Sequence, residues 1–149
     1  MKYATFKMDR GDIKFRLYEE SPIQVRRFCF NAENGCFENI SFDRVIPGFM
    51  AQSGPKARKD NEPHTYMWDE HETPRRTKNN NFHAYGVLSA ANAAQPNTSM
   101  GGFFICFSRR GTAHLDKAHT TFGHVVDGIE LIEQIETGDI IYNIIITES

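Results

Sequence analysis

Cysteine is scarce in this chain and forms no pattern. Cys29, Cys36 and Cys106 are odd in number and share no Cys-x-x-Cys spacing. That argues against a disulfide framework or a cysteine-built zinc site and fits a reducing compartment, although a Cys29–Cys36 pairing stays open. An excess of charge is lacking too. A net charge of −2 and a pI near 6.3 argue against nucleic acid or an anionic membrane as the main partner. The basic pairs Arg26-Arg27, Arg75-Arg76 and Arg109-Arg110 read as solvated surface. No apolar run approaches the length of a membrane span, and no leader-like segment precedes the strand-like run at Tyr3. The expected location is the cytoplasm. The Gly-x-Ser-x-Gly elbow is absent, so neither Ser89 nor Ser99 is expected as a hydrolase nucleophile. No repeat and no boundary interrupts the 149 residues, which read as a single domain, 1–149.

What is plentiful is phenylalanine. Twelve of them in a chain of this length imply a core, or a pocket, built from aromatic rings.

The periodicity of the chain is mostly that of strands. Ala4, Phe6 and Met8 alternate with polar neighbours, as do Ile13, Phe15 and Leu17 beyond the Asp9-Arg10-Gly11 turn, which predicts a hairpin with one buried face. Ser21-Pro22-Ile23-Gln24 combines a capping box with proline at the first helical position. Val25, Phe28, Cys29 and Ala32 follow at helical spacing and Asn34-Gly35 ends the helix. Ser41 to Gly54 reads as two short strands bent at Pro47-Gly48. Pro55 to Asn81 reads as a long loop with a short strand near Trp68. Strands are expected over Val87–Asn92, Phe103–Phe107, Thr120–Val126 and Ile140–Thr147, with Arg109-Arg110-Gly111 as a turn. A second helix is expected from Asp127, as its N-cap, to Gly138, just past its end. Many strands and two helices predict a mainly β fold, a closed antiparallel barrel with helices over its open ends.

The order of residues within the central pair says more. Phe42-x-Arg44-Val45-Ile46-x-Gly48-Phe49-Met50-x-Gln52-x-Gly54 resembles the central signature of the cyclophilins, the barrel-shaped peptidyl-prolyl cis–trans isomerases. Leu88-Ser89-Ala90-Ala91-Asn92-Ala93 with Phe103-Phe104-Ile105 resembles a second family segment, and His114-Leu115-Asp116-Lys117-Ala118-His119-Thr120-Thr121-Phe122-Gly123 a third. All three stand in the family's order, and only Pro55–Asn81 is poorly matched.

The resemblance implies an eight-stranded barrel capped by two α-helices, and a role for each matching position. Arg44 would be the catalytic guanidinium, with Gln52 helping to hold it and contacting substrate. Phe49, Met50, Phe104 and Leu115 would line the pocket for a substrate proline, with His119 at its rim and Phe103 facing the interior. Ala91 and Asn92 would contact the backbone before proline. No cofactor and no metal are implied. His114-x-Asp116-x-x-His119 lacks the spacing of a zinc site. The partners implied are proline-containing peptides or unfolded proteins, met by a monomer.

Three departures bear on function. Gly102 stands where the family carries a glutamine that hydrogen-bonds substrate, and Gln95 in the adjoining loop is a candidate to compensate. The glycine pair expected after Gln52 is Ser53-Gly54, followed by Pro55, and the glycine-rich continuation is replaced by Lys56-Ala57-Arg58-Lys59. His114 occupies a position that is tryptophan in many members, which implies weakened affinity for cyclosporin. Two classes of function follow: an active prolyl isomerase, or a proline-peptide-binding module with little turnover.

Overall fold

The computed structural model describes residues 1–56, 82–91 and 101–149. The strand expected near Trp68, Asn92 and Gln95 lie outside them.

The first hairpin forms as its alternation predicts. β1 (Lys2–Met8) pairs antiparallel with β2 (Gly11–Leu17), placing Ala4 opposite Phe15 and Phe6 opposite Ile13. All four are buried. Helix α1 (Pro22–Glu33) follows with proline in its first turn. The expected capping box does not form. Ser21 makes no cap bond, and its hydroxyl donates instead to the Thr121 carbonyl at 2.8 Å. A side chain that could stabilise the helix locally anchors it to a strand a hundred residues away. At the other end Asn34 returns both its backbone N–H and its Nδ2 to the Phe30 carbonyl, and Gly35 takes a positive φ of 76°.

The remaining strands are β3 (Ile40–Ser41), β4 (Arg44–Ile46), β5 (Met50–Ser53), β6 (Val87–Ala90), β7 (Phe103–Cys106), β8 (Thr121–Asp127), β9 (Ile140–Ile141) and β10 (Asn143–Glu148). Eight form one antiparallel sheet in the order β10-β1-β2-β8-β6-β7-β5-β4, while β3 and β9 form a separate two-stranded ladder. The closed barrel expected from the sequence is therefore replaced by a curled sheet with two ends. The seam arises because the chain breaks at Phe42-Asp43 between β3 and β4, and at Tyr142 between β9 and β10. The segments leading into the end strands are bridged by the pairs Ile40–Ile141 and Ser41–Ile140 and by backbone hydrogen bonds from Asn39 to Tyr142, Phe42 to Asp139 and Gly138 to Phe42.

The helices differ as well. The second expected helix is a six-residue 3-10 helix, Ile129–Gln134, entered from Gly128 rather than from Asp127. Gly128 takes a φ of +79° with its α-carbon close against Asp12, where a side chain would meet the Asp12 carbonyl. The segment is held by Ile132, which is wholly buried. Conversely, Arg109-Arg110-Gly111 is a helical turn. α2 (Arg109–Thr112) is capped by Ser108, whose hydroxyl accepts from the Gly111 N–H at 2.8 Å, and it runs on as a 3-10 helix over Ala113–Lys117. Among the described residues no helix is long and apolar enough to cross a membrane.

The phenylalanines account for the core. Phe28, on α1, packs against Phe6, Phe37, Phe103 and Phe122 with ring centroids 5.0–6.4 Å apart. Phe103 meets Phe6 and Phe37 edge-on, the arrangement that the aromatic quadrupole favours. Removing the central ring leaves a cavity that its rigid neighbours cannot fill. Phe28→Ala is expected to cost about 3–5 kcal/mol, measured by urea unfolding. A loss below about 1 kcal/mol would show that α1 is not what closes this core.

Candidate active site

Period-two alternation divides β5, β6 and β7 into two faces. Ala51, Leu88, Phe103 and Ile105 belong to the main core. Met50, Val87, Phe104 and Cys106 form a second cluster on the opposite face, with Ile46, Phe49, Ala84, Ala91 and Leu115 packed against it. Phe103 and Phe104 thus leave one strand in opposite directions. Phe49 and Met50 escape the same rule because Phe49 lies in the Pro47–Phe49 turn, ahead of β5. Both therefore reach the second cluster.

Above that cluster is a recess of about 220 Å³, lined by Arg44, Phe49, Met50, Gln52, Ala91, Phe104, Leu115 and His119. These eight come from five separate parts of the chain, and each is a site residue expected from the sequence. Register explains much of the convergence. Arg44 is the cross-strand partner of Gln52, and Gln52 that of Phe104. Among the described residues no side-chain hydrogen bond joins Gln52 to Arg44. Arg44 itself is exposed. His119 is fixed at the rim through Nδ1, 2.9 Å from the Ala90 carbonyl, with its ring edge-on to Phe104 at 5.5 Å. His114 does not line the recess. It packs its ring against Phe49 at 5.8 Å. Asn92 lies outside the described residues.

A second recess of about 270 Å³ adjoins the first, lined by Asp43, Arg44, Gln52, Ser53, Gly54, Pro55 and Gly102. Arg44 and Gln52 are common to both and form the ridge between them. Two of the three sequence departures, Gly102 and the Ser53-Gly54-Pro55 run, fall here. Ser53 is buried and donates its hydroxyl to the Ser41 carbonyl at 2.6 Å, tying β5 to β3. Gly54 and Gly102 approach each other closely, so that a Cβ on Gly54 would lie 3.4 Å from the Gly102 α-carbon.

Three residues of the neighbourhood carried little signal in the sequence. His83, Asp116 and Arg109 join in hydrogen bonds behind the recess. His83 precedes β6 in an irregular stretch with no periodicity, and its partner lies 33 residues on, so nothing local marks it. Asp116 was legible only as a metal-ligand candidate with His114 and His119, yet the three take different partners. Burial pushes the Asp116 carboxyl up, but the backbone and ring N–H groups of His83 and the Arg109 guanidinium outweigh it, leaving the carboxyl below its ordinary value.

The comparisons with known proteins agree with the geometry. Residues 3–148 match the family model described as cyclophilin type peptidyl-prolyl cis-trans isomerase/CLD. The chain belongs to the cyclophilin family. A peptidyl-prolyl cis-trans isomerase of Helicobacter pylori is 34% identical over 152 residues, covering 99% of this chain and 88% of that one. One from Synechococcus elongatus is 32% identical over 154 residues, covering 100% and 99%. The structure of a Cryptosporidium parvum cyclophilin type isomerase, determined in the presence of the dipeptide Ala-Pro, superposes with a TM-score of 0.76 at 23% identity and covers 99% of both chains. That likeness concerns the fold.

The depressed Asp116 value gives this cyclophilin a pH signature. A carboxyl whose folded pKa lies below the unfolded value, about 3.9, contributes stability that is present above that value and lost as pH falls through the folded one. The stability gap between wild type and Asp116→Asn is expected to be widest near neutral pH and to close below about pH 4. Denaturant unfolding at several pH values measures it. A gap independent of pH would remove the Asp116 charge from the account.

Proposed function

We propose that the protein isomerises X-Pro peptide bonds at the recess between β5, β7 and the Ala113–Lys117 turn, with Arg44 stabilising the twisted amide. The observation that carries this reading is the seating of one guanidinium and one amide, Arg44 and Gln52, over walls of Phe49, Met50, Phe104 and Leu115. The Cryptosporidium parvum structure was determined in the presence of the dipeptide Ala-Pro, a molecule of the matching chemistry.

The physical argument starts from the bond. The prolyl nitrogen lone pair is delocalised into the carbonyl, and rotation faces a barrier of about 18–20 kcal/mol. No covalent bond is made or broken, so neither nucleophile nor proton shuttle is needed. Twisting returns the lone pair to nitrogen. A donor aimed there favours the twisted state over the planar one, which is the condition for acceleration. Arginine supplies several donors in a rigid fork at permanent charge. The apolar walls hold the ring while the preceding carbonyl swings, and by excluding water they strengthen the electrostatics. Ala91, Gln52 and, beyond the described residues, Asn92 serve the substrate backbone. Substrates are proline-containing peptides and unfolded or flexible chains. Affinity for cyclosporin is weakened by the smaller ring of His114.

Exchange NMR of an Ala-Pro peptide tests the reading. Acceleration is expected without metal or nucleotide, at a rate nearly flat between about pH 7 and 9, since a guanidinium does not titrate there. Arg44→Ala is expected to remove most of the rate while the fold persists, because an exposed cation contributes little to stability. Lysine should rescue poorly, as a point charge lacks the fork. An Arg44→Ala protein that unfolds would make the residue structural.

Gly102 favours the second reading, a proline-peptide-binding module, since the second recess lacks the side-chain amide expected at that position. The backbone permits a direct test. Gly102 does not have a positive φ, unlike Gly101 at +86°, and an added Cβ would sit 3.4 Å from the Ala91 Cβ and 3.5 Å from the Ser53 carbonyl oxygen, ordinary contact. One neutral hydrogen bond is worth about 0.5–1.5 kcal/mol. Gly102→Gln is therefore expected to raise kcat/KM by about two- to tenfold. Unchanged kinetics in an equally stable protein would place that recognition elsewhere.

A further inference from the structure

Behind Phe104 runs a buried polar chain that the isomerisation chemistry leaves unused. His83 has no exposed surface. Its Nδ1 lies 2.9 Å from Asp116 Oδ1 and its Nε2 2.8 Å from Ser89 Oγ. Asp116 Oδ1 also accepts the His83 backbone N–H at 2.9 Å. Arg109 closes the outer side, donating to Asp116 Oδ2 at 2.7 Å and to the His83 carbonyl at 3.0 Å. A carboxylate only accepts, so Nδ1 carries a proton toward Asp116, while Ser89 Oγ, bonded to Nε2, also donates to the Thr120 carbonyl at 3.3 Å.

Serine, histidine and aspartate in this order make the hydrogen-bond relay of a hydrolase. Ser89, however, is fully buried, and no substrate carbonyl can reach it. What the relay does touch is the wall of the recess. The His83 ring stacks on Phe104, with centroids 6.0 Å apart and planes 15° apart, and it meets His119 edge-on at 6.4 Å. Asp116 sits next to Leu115 on the 3-10 turn, and the chain leads on from that turn to His119. Ser89 lies on β6, whose next residues are Ala90, the His119 acceptor, and Ala91 of the recess. One side chain therefore joins the three segments that supply Phe104, Leu115 with His119, and Ala91.

We propose that His83 is a positioning residue for the proline recess: through Asp116 and Ser89 it pins the Ala113–Lys117 turn to β6 and, by stacking, sets the Phe104 ring. This rests on the proline-pocket reading above and deepens it. The apolar walls hold the proline ring in the planar and twisted states alike, so loosening them removes uniform binding. Such a loss raises KM while leaving kcat in place. Arg44, on the opposite wall, is untouched.

Two variants separate positioning from folding. His83→Leu keeps bulk and deletes the ring hydrogen bonds. Arg109→Gln changes a half-exposed side chain, 44% accessible, that holds the relay from outside and is expected to leave the fold intact. For both, affinity for an Ala-Ala-Pro-Ala peptide is read by chemical-shift titration, the saturated exchange rate by exchange NMR, and folding by thermal melting. His83→Leu should weaken binding about three- to tenfold with kcat within about twofold, and Arg109→Gln should move the same way by less. His83→Asn, whose amide can still donate to Asp116, should recover part of the affinity. Unchanged affinity in the folded variants, even with lowered melting temperatures, overturns the proposal and leaves His83 a purely structural residue. Should His83→Leu fail to fold, Arg109→Gln decides alone. If the wild type binds the peptide without accelerating exchange, the isomerase reading fails while the affinity comparison still judges His83. A wild type that binds no proline peptide overturns both.

Discussion

Adjacent side chains on a strand must point to opposite faces, and on β7 that rule does the most. Phe103 enters the ring cluster around Phe28, and Phe104 forms a wall of the recess. The two cannot be repositioned independently. Burying Phe103 against Phe6, Phe28 and Phe37 fixes the strand's height and rotation, and so fixes where Phe104 stands. The same holds on β5, where Ala51 faces the core between Met50 and Gln52 of the recess. A large aromatic core is thereby also the foundation of the site, which accounts for phenylalanine being so abundant.

How much of this could be read from the chain depended on the range of the interaction. Short-range patterns were legible: the β1–β2 hairpin by its alternation, α1 by proline and helical spacing, the β4–β5 bend by Pro47-Gly48. The recess was legible through motif order, and its eight lining residues all stand in the matched segments. What failed was decided at long range. Ser21 caps nothing because the Thr121 carbonyl lies within reach. The expected helix after Asp127 shrinks to a 3-10 turn because Gly128 must pass close to Asp12. Sheet closure depended on two breaks, at Phe42-Asp43 and at Tyr142, that no local pattern announces. His83 carried no signal at all, since its meaning comes from Asp116, Ser89 and Phe104 together.

The recess combines the apolar side chains of Phe49, Met50, Ala91, Phe104 and Leu115 with the polar ones of Arg44, Gln52 and His119. His119 is committed to the Ala90 carbonyl, and Asp116 is turned away to His83 and Arg109. On the proposed reading no proton moves, and the permanently charged guanidinium of Arg44 would supply the field.

Support is unevenly divided between the two sides of the site. β7 lies inside the sheet between β6 and β5, whereas β4, which carries Arg44, is a three-residue strand at the sheet's end. Behind Phe104 stand a buried histidine and its relay. Around Arg44, among the described residues, there is no hydrogen bond or ion pair to hold the guanidinium. On the proposed reading this asymmetry suits a twisting amide. The proline ring would stay still between walls carried by central strands packed on the core. The prolyl nitrogen changes its geometry as the preceding carbonyl swings, so the donor that follows it is best placed on a long side chain at a lightly supported edge. The ridge of Arg44 and Gln52 between the two recesses is where a fixed ring and a moving backbone would meet.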